Sequence, residues 1–274
     1  MTAQRSPGLA GFDPTVPSEG RMNDVFLGGK DNFAADRQAA IRALELAPEL
    51  PVLVREGRKF LRRVMRFLAG TGVRQVLDIG VGLPSRGHLE EVGGAMPAGT
   101  RIVYADKEPV AVVHSRARLN HTDRTAVIQA DLTEPDDIFE SDDVQRLINL
   151  SEPVAVLLLS VLHLIPDDKI AMDAVDCVRG AVAPGSYLTI VHAVSDICPE
   201  TTAKLAALYQ QGAIKGPGFR DNLRTKAEVE DFFAGLDLVE PGVVYLPAWR
   251  PDPGEVMTHP ESVWAVGGIG RTTG

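Results

Sequence analysis

Gln75-Val-Leu-Asp-Ile-Gly-Val-Gly-Leu-Pro-Ser85 runs from a short apolar stretch through an acid into a pair of glycines. An apolar run this short that ends on a tight turn reads as a strand covered on both faces, followed by a close strand-to-helix connection. The same texture recurs downstream. Arg101-Ile-Val-Tyr-Ala-Asp106, Thr125-Ala-Val-Ile-Gln-Ala-Asp131, Val154-Ala-Val-Leu-Leu-Leu-Ser160 and Tyr187-Leu-Thr-Ile-Val-His192 are further buried strands. Stretches of helical length separate them, at about 86–95, 108–120, 136–149 and 167–182. Strands alternating with helices at this spacing specify an α/β, Rossmann-like, doubly wound sheet.

The flanks complete the expectation. Residues 1 to about 20 are polar and rich in Pro and Gly, a flexible leader. From Asp31 to about Gly70 the apolar residues recur at helical spacing, interrupted by Pro48 and Pro51. Residues 1–70 therefore form a leader and helical cap, and 71–274 the sheet domain. In the last third, Thr201 to Gly212 reads as a helix, and Thr225-Lys-Ala-Glu228 is a capping box opening a helix that stops near Gly235. Strand-like runs at about 237–246 and 262–269 flank a Pro-rich loop, Pro247 to Pro260, and pair antiparallel at one edge. The sheet then has seven strands, mostly parallel.

Composition excludes several classes. A net charge of −9 disfavours a nucleic-acid partner, which needs a basic surface. The basic run Arg55, Arg58, Lys59, Arg62, Arg63 and Arg66 reads as the wet face of an amphipathic helix. Cys177 and Cys198 stand alone, which supports neither a zinc site nor a disulfide framework and fits a reducing compartment. The N-terminus carries no apolar signal, and no stretch reaches the roughly 20 apolar residues of a membrane span. The expectation is a cytoplasmic protein, monomeric or homodimeric, with no membrane partner and no metal.

Three strands end on acids, Asp78, Asp106 and Asp131, at the edge where open α/β sheets bind ligands. A dinucleotide fingerprint requires G-x-G-x-x-G, yet Ser85 replaces the third glycine and Pro84 removes an amide from the cradle. That weakens the reading of a NAD-dependent oxidoreductase. An acid two residues before the first glycine is the D-x-G-x-G arrangement of methyltransferases, whose donor S-adenosylmethionine has no phosphate. On this reading Gly80, Gly82 and Leu83 approach the nucleoside. Asp106 takes the ribose hydroxyls, with Lys107 beside the adenine, and Asp131 with the Leu132 amide meets the adenine edge. Asp78 orients the turn or contacts the methionine amino group, and Ser160 lies under the sulfonium.

Arg21…Leu27-Gly-Gly-Lys-Asp-Asn-Phe-Ala-Ala-Asp-Arg37 resembles the signature of an actinobacterial S-adenosylmethionine-dependent methyltransferase family, long known only as a domain of unknown function. The resemblance continues through Leu77–Pro84, Val103–Asp106, Leu162-His-Leu-Ile-Pro-Asp167, Pro184–Leu188 and Pro241…Asp252, nearly the whole chain. It implies the fold and the cofactor, and little about the substrate. The family carries aromatics two and four positions after the arginine, where this chain has Asn23 and Val25; if those aromatics line the pocket, this one is more open or more polar. Taken alone, the Leu27–Phe33 block is either a loop with Asp31 or Asn32 capping a helix, or a hinged lid. The resemblance favours the lid, with Phe33 against the cofactor.

Methyl transfer needs alignment of donor and acceptor, and a base only where the acceptor must lose a proton. His163 follows the fourth strand, in a stretch similar to the Leu-His…Asp segment of small-molecule O-methyltransferases, where the histidine acts as base. The alternative is a histidine bonded to backbone beneath the turn. His192, ending the fifth strand, is a second candidate base. His88, His114, His121 and His259 read as surface or helix residues. Trp249-Arg250 either flanks the acceptor or packs as a loop crossing. The expected function is methylation of O or N on a small metabolite, with a non-catalytic ligand-binding protein as the remaining alternative.

Overall fold

The computed structural model describes residues 12–83, 88–119, 123–210, 219–255 and 257–273. Pro84, Ser85, His121 and the expected helix end at Gly212 lie outside them, as do the first residues of the leader and the side chain of His88.

Five strands run parallel: β1 (Gln75–Ile79), β2 (Arg101–Asp106), β3 (Thr125–Gln129), β4 (Ala155–Leu159) and β5 (Tyr187–Ala193). The run expected at 237–246 is divided into β6 (Asp237–Leu238) and β7 (Val244–Tyr245). Both pair antiparallel with β8 (Ala265–Arg271), which itself pairs antiparallel with β5. The division has a local cause: Pro241 has no N–H to give a ladder, and Gly242 turns the chain at a φ of 86°. The order is β3-β2-β1-β4-β5-β8-β6, with β7 beside β8. The order reverses between β1 and β4, which opens a crevice at the carboxyl ends of those strands.

Period-two alternation sends neighbouring side chains to opposite faces. Val76, Tyr104, Leu157, Val191 and Ile269 meet one helical layer. Leu77, Val103, Val156, Leu158 and Ile190 meet the other. The second layer holds α6 (Pro135–Phe139), α7 (Asp142–Leu147), α8 (Asp168–Ala181) and α10 (Lys226–Glu230). The single helix expected at 136–149 is thus two, because Ser141 caps a new start by accepting from Val144 N. The Thr225–Glu228 capping box is present as read.

The first layer contains α3 (Leu50–Gly70), α4 (His88–Ala95) and α5 (Pro109–Arg118), with α1 (Glu19–Phe26), α2 (Ala34–Leu46) and α9 (Pro199–Tyr209) beside them. The change of texture at residue 70 is therefore no break in packing. Phe60, Val64, Met65 and Leu68 of α3 share one buried cluster with Val76 and Leu157. Nor is α3's basic run wholly wet: Arg63 is buried and donates to Leu246 O at 2.7 Å. Trp249 is fully buried against Phe60 and Phe67, so that segment is a packed crossing.

The flexible leader expected as far as residue 20 gives way earlier, and helix α1 was not anticipated. Ser18 caps α1, and Arg21 reaches back to Val16 O. Asp31 and Asn32 do not cap α2 either. Phe33 is the N-cap, and its N–H donates to Asp36 Oδ2 at 2.8 Å. Asp31 N and Asn32 Nδ2 donate instead to Asp24 Oδ2, at 2.9 and 2.8 Å. A side chain on Gly29 would collide with that carboxylate, since its Cβ would lie 1.9 Å from Asp24 Oδ1. The Gly-Gly-Lys-Asp-Asn block is thus a loop folded onto the buried Asp24 of α1.

Candidate active site

Gly80 and Gly82 take left-handed φ angles of 80° and 62° where the chain leaves β1. A Cβ on Gly80 would lie 2.7 Å from the Val161 side chain, so both conformation and space demand glycine there. Helix α1 lies over this turn. A Cβ on Gly20 would approach Gly82 Cα to 3.2 Å. Behind the contact sits a cavity of about 350 Å³, enclosed by the ends of β1, β2 and β4 and by α1, α3 and α9.

Of the residues singled out in the sequence, Gly80, Gly82, Leu83, Asp106, Lys107, Asp131, Leu132, Ser160 and His163 border this cavity. Three expected residues do not. Asp78 is interior to β1 and 1% exposed, and it does not border the cavity. Phe33, at the start of α2, is exposed with its ring 5.2 Å from that of Phe12, and it does not border the cavity. His192 is fully buried, with both ring nitrogens engaged. Nδ1–H donates to Ala193 O at 2.5 Å, and Nε2 faces Arg224 Nη1 at 3.3 Å. Burial, then the neighbouring His163 and Arg224, holds it well below the usual histidine range. A neutral, saturated imidazole is not a base.

Asp106 accepts from Gly82 N at 2.7 Å and from Glu108 N at 2.8 Å. Burial pushes its carboxyl up to about 6 against the help of the Gly82 amide and Lys107, and the charges of Asp78 and Asp131 add to the rise. Lys107 Nζ lies 3.6 Å from Asp131, whose other oxygen accepts from Thr133 N. Of the two positions where the resemblance expects aromatics, only Asn23 borders the cavity, adding a polar group to its wall.

Ser160 has a φ of 60°, rare for a non-glycine residue, and its N–H donates to Val191 O. Strain of this kind collects at functional sites. Ser160→Gly is expected to keep the fold within about 1 kcal/mol, whereas Ser160→Val is expected to lose at least about 2 kcal/mol. Thermal melts of the two variants check the contrast.

Glu19, Glu108 and Arg224, which the sequence reading did not single out, join the surroundings of the cavity. Glu19 of α1 meets His163 Nε2 at 2.9 and 3.1 Å, so the partner of that histidine is a carboxylate and not backbone. His163 rides on a 3₁₀ turn, Leu162–Leu164. Arg224 fixes that turn by donating to Leu162 O and Ile165 O, each at 3.1 Å, and to Asp168. Glu108 takes the Ser18 hydroxyl at 2.7 Å and pairs with Arg21, which also binds Asp36 at 2.9 Å. These residues are brought together across 15 to 144 positions of chain. Among the described residues, no helix is long and apolar enough to cross a membrane.

A mostly parallel sheet with an antiparallel β8, a glycine turn after β1 and a buried acid closing β2 defines a nucleoside-binding transferase fold. The sequence profile of the S-adenosyl methyltransferase family matches residues 7–273. The chain belongs to that family: it is an S-adenosylmethionine-dependent methyltransferase. It is 37% identical to a Thermobifida fusca protein assigned as a methyltransferase with no substrate named, over 100% of both chains and with a TM-score of 0.85. It is 31% identical to a DUF574 family protein from Streptomyces avermitilis, covering 95% of this chain and 99% of that one at a TM-score of 0.86. Human N-acetylserotonin methyltransferase, solved with S-adenosylmethionine, shares the fold at 14% identity and a TM-score of 0.51, with 93% and 64% of the chains covered. No curated protein matches the chain.

Proposed function

We propose that the cavity holds S-adenosylmethionine along the ends of β1, β2 and β3 and a small-molecule acceptor beside it, which is methylated on oxygen or nitrogen. The observation that carries this reading is one half-open cavity whose wall combines polar and apolar groups. Asp106, Lys107 and Asp131 are among the first, and Leu50, Leu53, Leu205 and Trp264 among the second. A concave cavity of about 350 Å³ is of the size that takes small molecules.

The residues fit the donor. Two left-handed glycines leave the turn after β1 without side chains, and Asp106 is a buried carboxylate at the end of β2. Asp106 would hold the ribose hydroxyls, Asp131 and the Leu132 amide the adenine edge, and Ser160 the region of the sulfonium. When bound, the cofactor supplies a methyl group activated by positive sulfur. The chain's own part is to orient the acceptor, exclude water and take a proton where one must leave. Helix α1, seated on the glycine turn, serves as the lid that excludes water.

Calorimetric titration with S-adenosylhomocysteine, followed by a labelled-methyl screen against a fractionated metabolite extract, tests the proposal. Binding together with label in the small-molecule fraction is expected. Label confined to protein or nucleic acid would overturn the small-molecule reading.

A further inference from the structure

The methyl donor has three parts, and the groups assigned so far meet two of them. Asp131 and the Leu132 amide stand after β3 for the adenine, and Asp106 ends β2 for the ribose. With the strand order β3-β2-β1-β4, the third part, the amino-acid half beyond the sulfur, extends across β1 towards β4. It carries an ammonium. Asp78, the acid of β1 that the sequence offered for this group, does not border the cavity. An ammonium taken out of water with no partner is costly, so another acceptor has to meet it.

At the β1–β4 end of the cavity, Gly80, Ser160 and His163 form the sheet side of the wall, and Glu19, Gly20 and Asn23 of α1 the side above it. Two acids of α1 border the cavity. Asp24 is committed to its own loop: Oδ2 accepts from Asp31 N and Asn32 Nδ2, and the Gly29 backbone lies against Oδ1. Glu19 is placed differently. Both of its oxygens approach His163 Nε2, at 2.9 and 3.1 Å, so the carboxylate bridges the gap between α1 and the turn after β4. It is largely enclosed, at 14% side-chain exposure, and among the described residues no lysine or arginine pairs with it. Tyr209 of α9 borders the same cavity, where burial and then the charge of Glu19 keep its hydroxyl protonated.

We propose that Glu19 binds the ammonium of the donor's amino-acid half, with His163 orienting the carboxylate, so that the donor itself fastens α1 over the glycine turn. The inference rests on the methyl-donor reading of the same cavity. A carboxylate only accepts, so His163 donates from Nε2 and fixes the direction of the acid. The ammonium adds a charge-assisted bond to it, which is stronger than a neutral one. The neighbouring residue explains why the acid stands on α1. A Cβ on Gly20 would lie 3.2 Å from Gly82 Cα, so the helix is seated on the turn and its next side chain reaches past it. A ligand closes a lid only through contacts that the open form lacks. A nucleoside without the amino-acid half still meets Asp106 and Asp131, but it has no bond to α1.

Calorimetric titration of the full chain with three ligands tests the proposal. They are S-adenosylhomocysteine, its deaminated analogue with hydrogen in place of the ammonium, and methylthioadenosine, which lacks the amino-acid half. None carries a sulfonium charge, so the first two differ only at the ammonium. The wild type is expected to bind S-adenosylhomocysteine about 10–100-fold more tightly than the deaminated analogue. Glu19→Gln is expected to lose about that factor for S-adenosylhomocysteine and to stay within about twofold for the other two ligands. Hydrogen exchange over residues 19–26 of the wild type is expected to slow with S-adenosylhomocysteine and not with methylthioadenosine. Equal wild-type affinity for S-adenosylhomocysteine and its deaminated analogue would overturn the proposal without any variant. So would a Glu19→Gln variant that weakens all three ligands alike, or none of them, the last being the result if Glu19 serves the acceptor instead. Each of these leaves the methyl-donor reading standing. Failure of the wild type to bind any of the three would overturn that reading itself.

Discussion

Arg21→Ala is expected to destabilise the protein by about 3–5 kcal/mol, the largest effect of any single side chain at the N-terminus. Arg21 is 3% exposed and bonds Asp36 Oδ2 through Nε; its other nitrogens engage Glu108 and Val16 O. Removing the guanidinium leaves Asp36, fully buried, with only amide donors from Ser18 and Phe33, and leaves Glu108 beside the Ser18 hydroxyl. Two carboxylates left without their cation cost far more than the ion pair contributes when intact. Because Glu108 follows Asp106 on the loop after β2 and Ser18 caps α1, the loss also frees α1 from the glycine turn. Urea titration measures the first effect, and hydrogen exchange over residues 19–46 the second. Loss below about 1 kcal/mol with unchanged exchange would mean that α1 is held by its apolar face, Met22 and Phe26, alone.

Asp106→Asn is expected to move stability and affinity in opposite directions. The folded carboxyl titrates at about 6, above its ordinary 3.8, so the folded state binds its proton more tightly than the unfolded chain. Such a group contributes stability that is complete below pH 3.8 and gone once pH has risen through about 6. The difference corresponds to at most about 3 kcal/mol of strain from the ionised group at neutral pH. Asparagine carries no charge and still accepts one of the two backbone amides. The cofactor-free variant is therefore expected to gain about 1–2 kcal/mol at pH 8, a few degrees in Tm, and nothing at pH 4. Affinity for S-adenosylhomocysteine is expected to fall by about 1–3 kcal/mol, since the ribose loses a charge-assisted partner. In the wild type, that affinity should itself fall as pH drops below about 6. Equal stability at both pH values, or unchanged affinity, would show that Asp106 is neither strained nor ligand-facing.

Much of the architecture is local in origin, and so it was legible. Each parallel strand is a short apolar run between turn residues, and the Thr225–Glu228 box is a contact between residues three positions apart. The Asp78-x-Gly-x-Gly82 turn announced the donor because glycine and acid must stand next to each other there. The acids Asp106 and Asp131 followed from strand ends alone, and both border the cavity. Where the reading faltered, contacts across the chain had overruled local preference. Asp31 and Asn32 are good caps by propensity, but the buried Asp24 captures both. Arg63 belongs to a basic face by periodicity, but the carbonyl of Leu246, 183 residues away, draws it inward.

The two strand-end histidines show the division most sharply. By sequence His163 follows one strand and His192 ends another, and the two are chemically alike. Tertiary structure separates them through two partners that no spacing rule links to either: Arg224 faces the His192 ring, and Glu19 meets His163. The sequence by itself determined the sheet, the glycine turn and the methyl donor, because these depend on residues adjacent in the chain. Only the tertiary structure decided that helix α1 lies over that turn and that its first carboxylate meets His163. A buried charge finds its partner by enclosure in space, and 144 positions of chain separate Glu19 from His163.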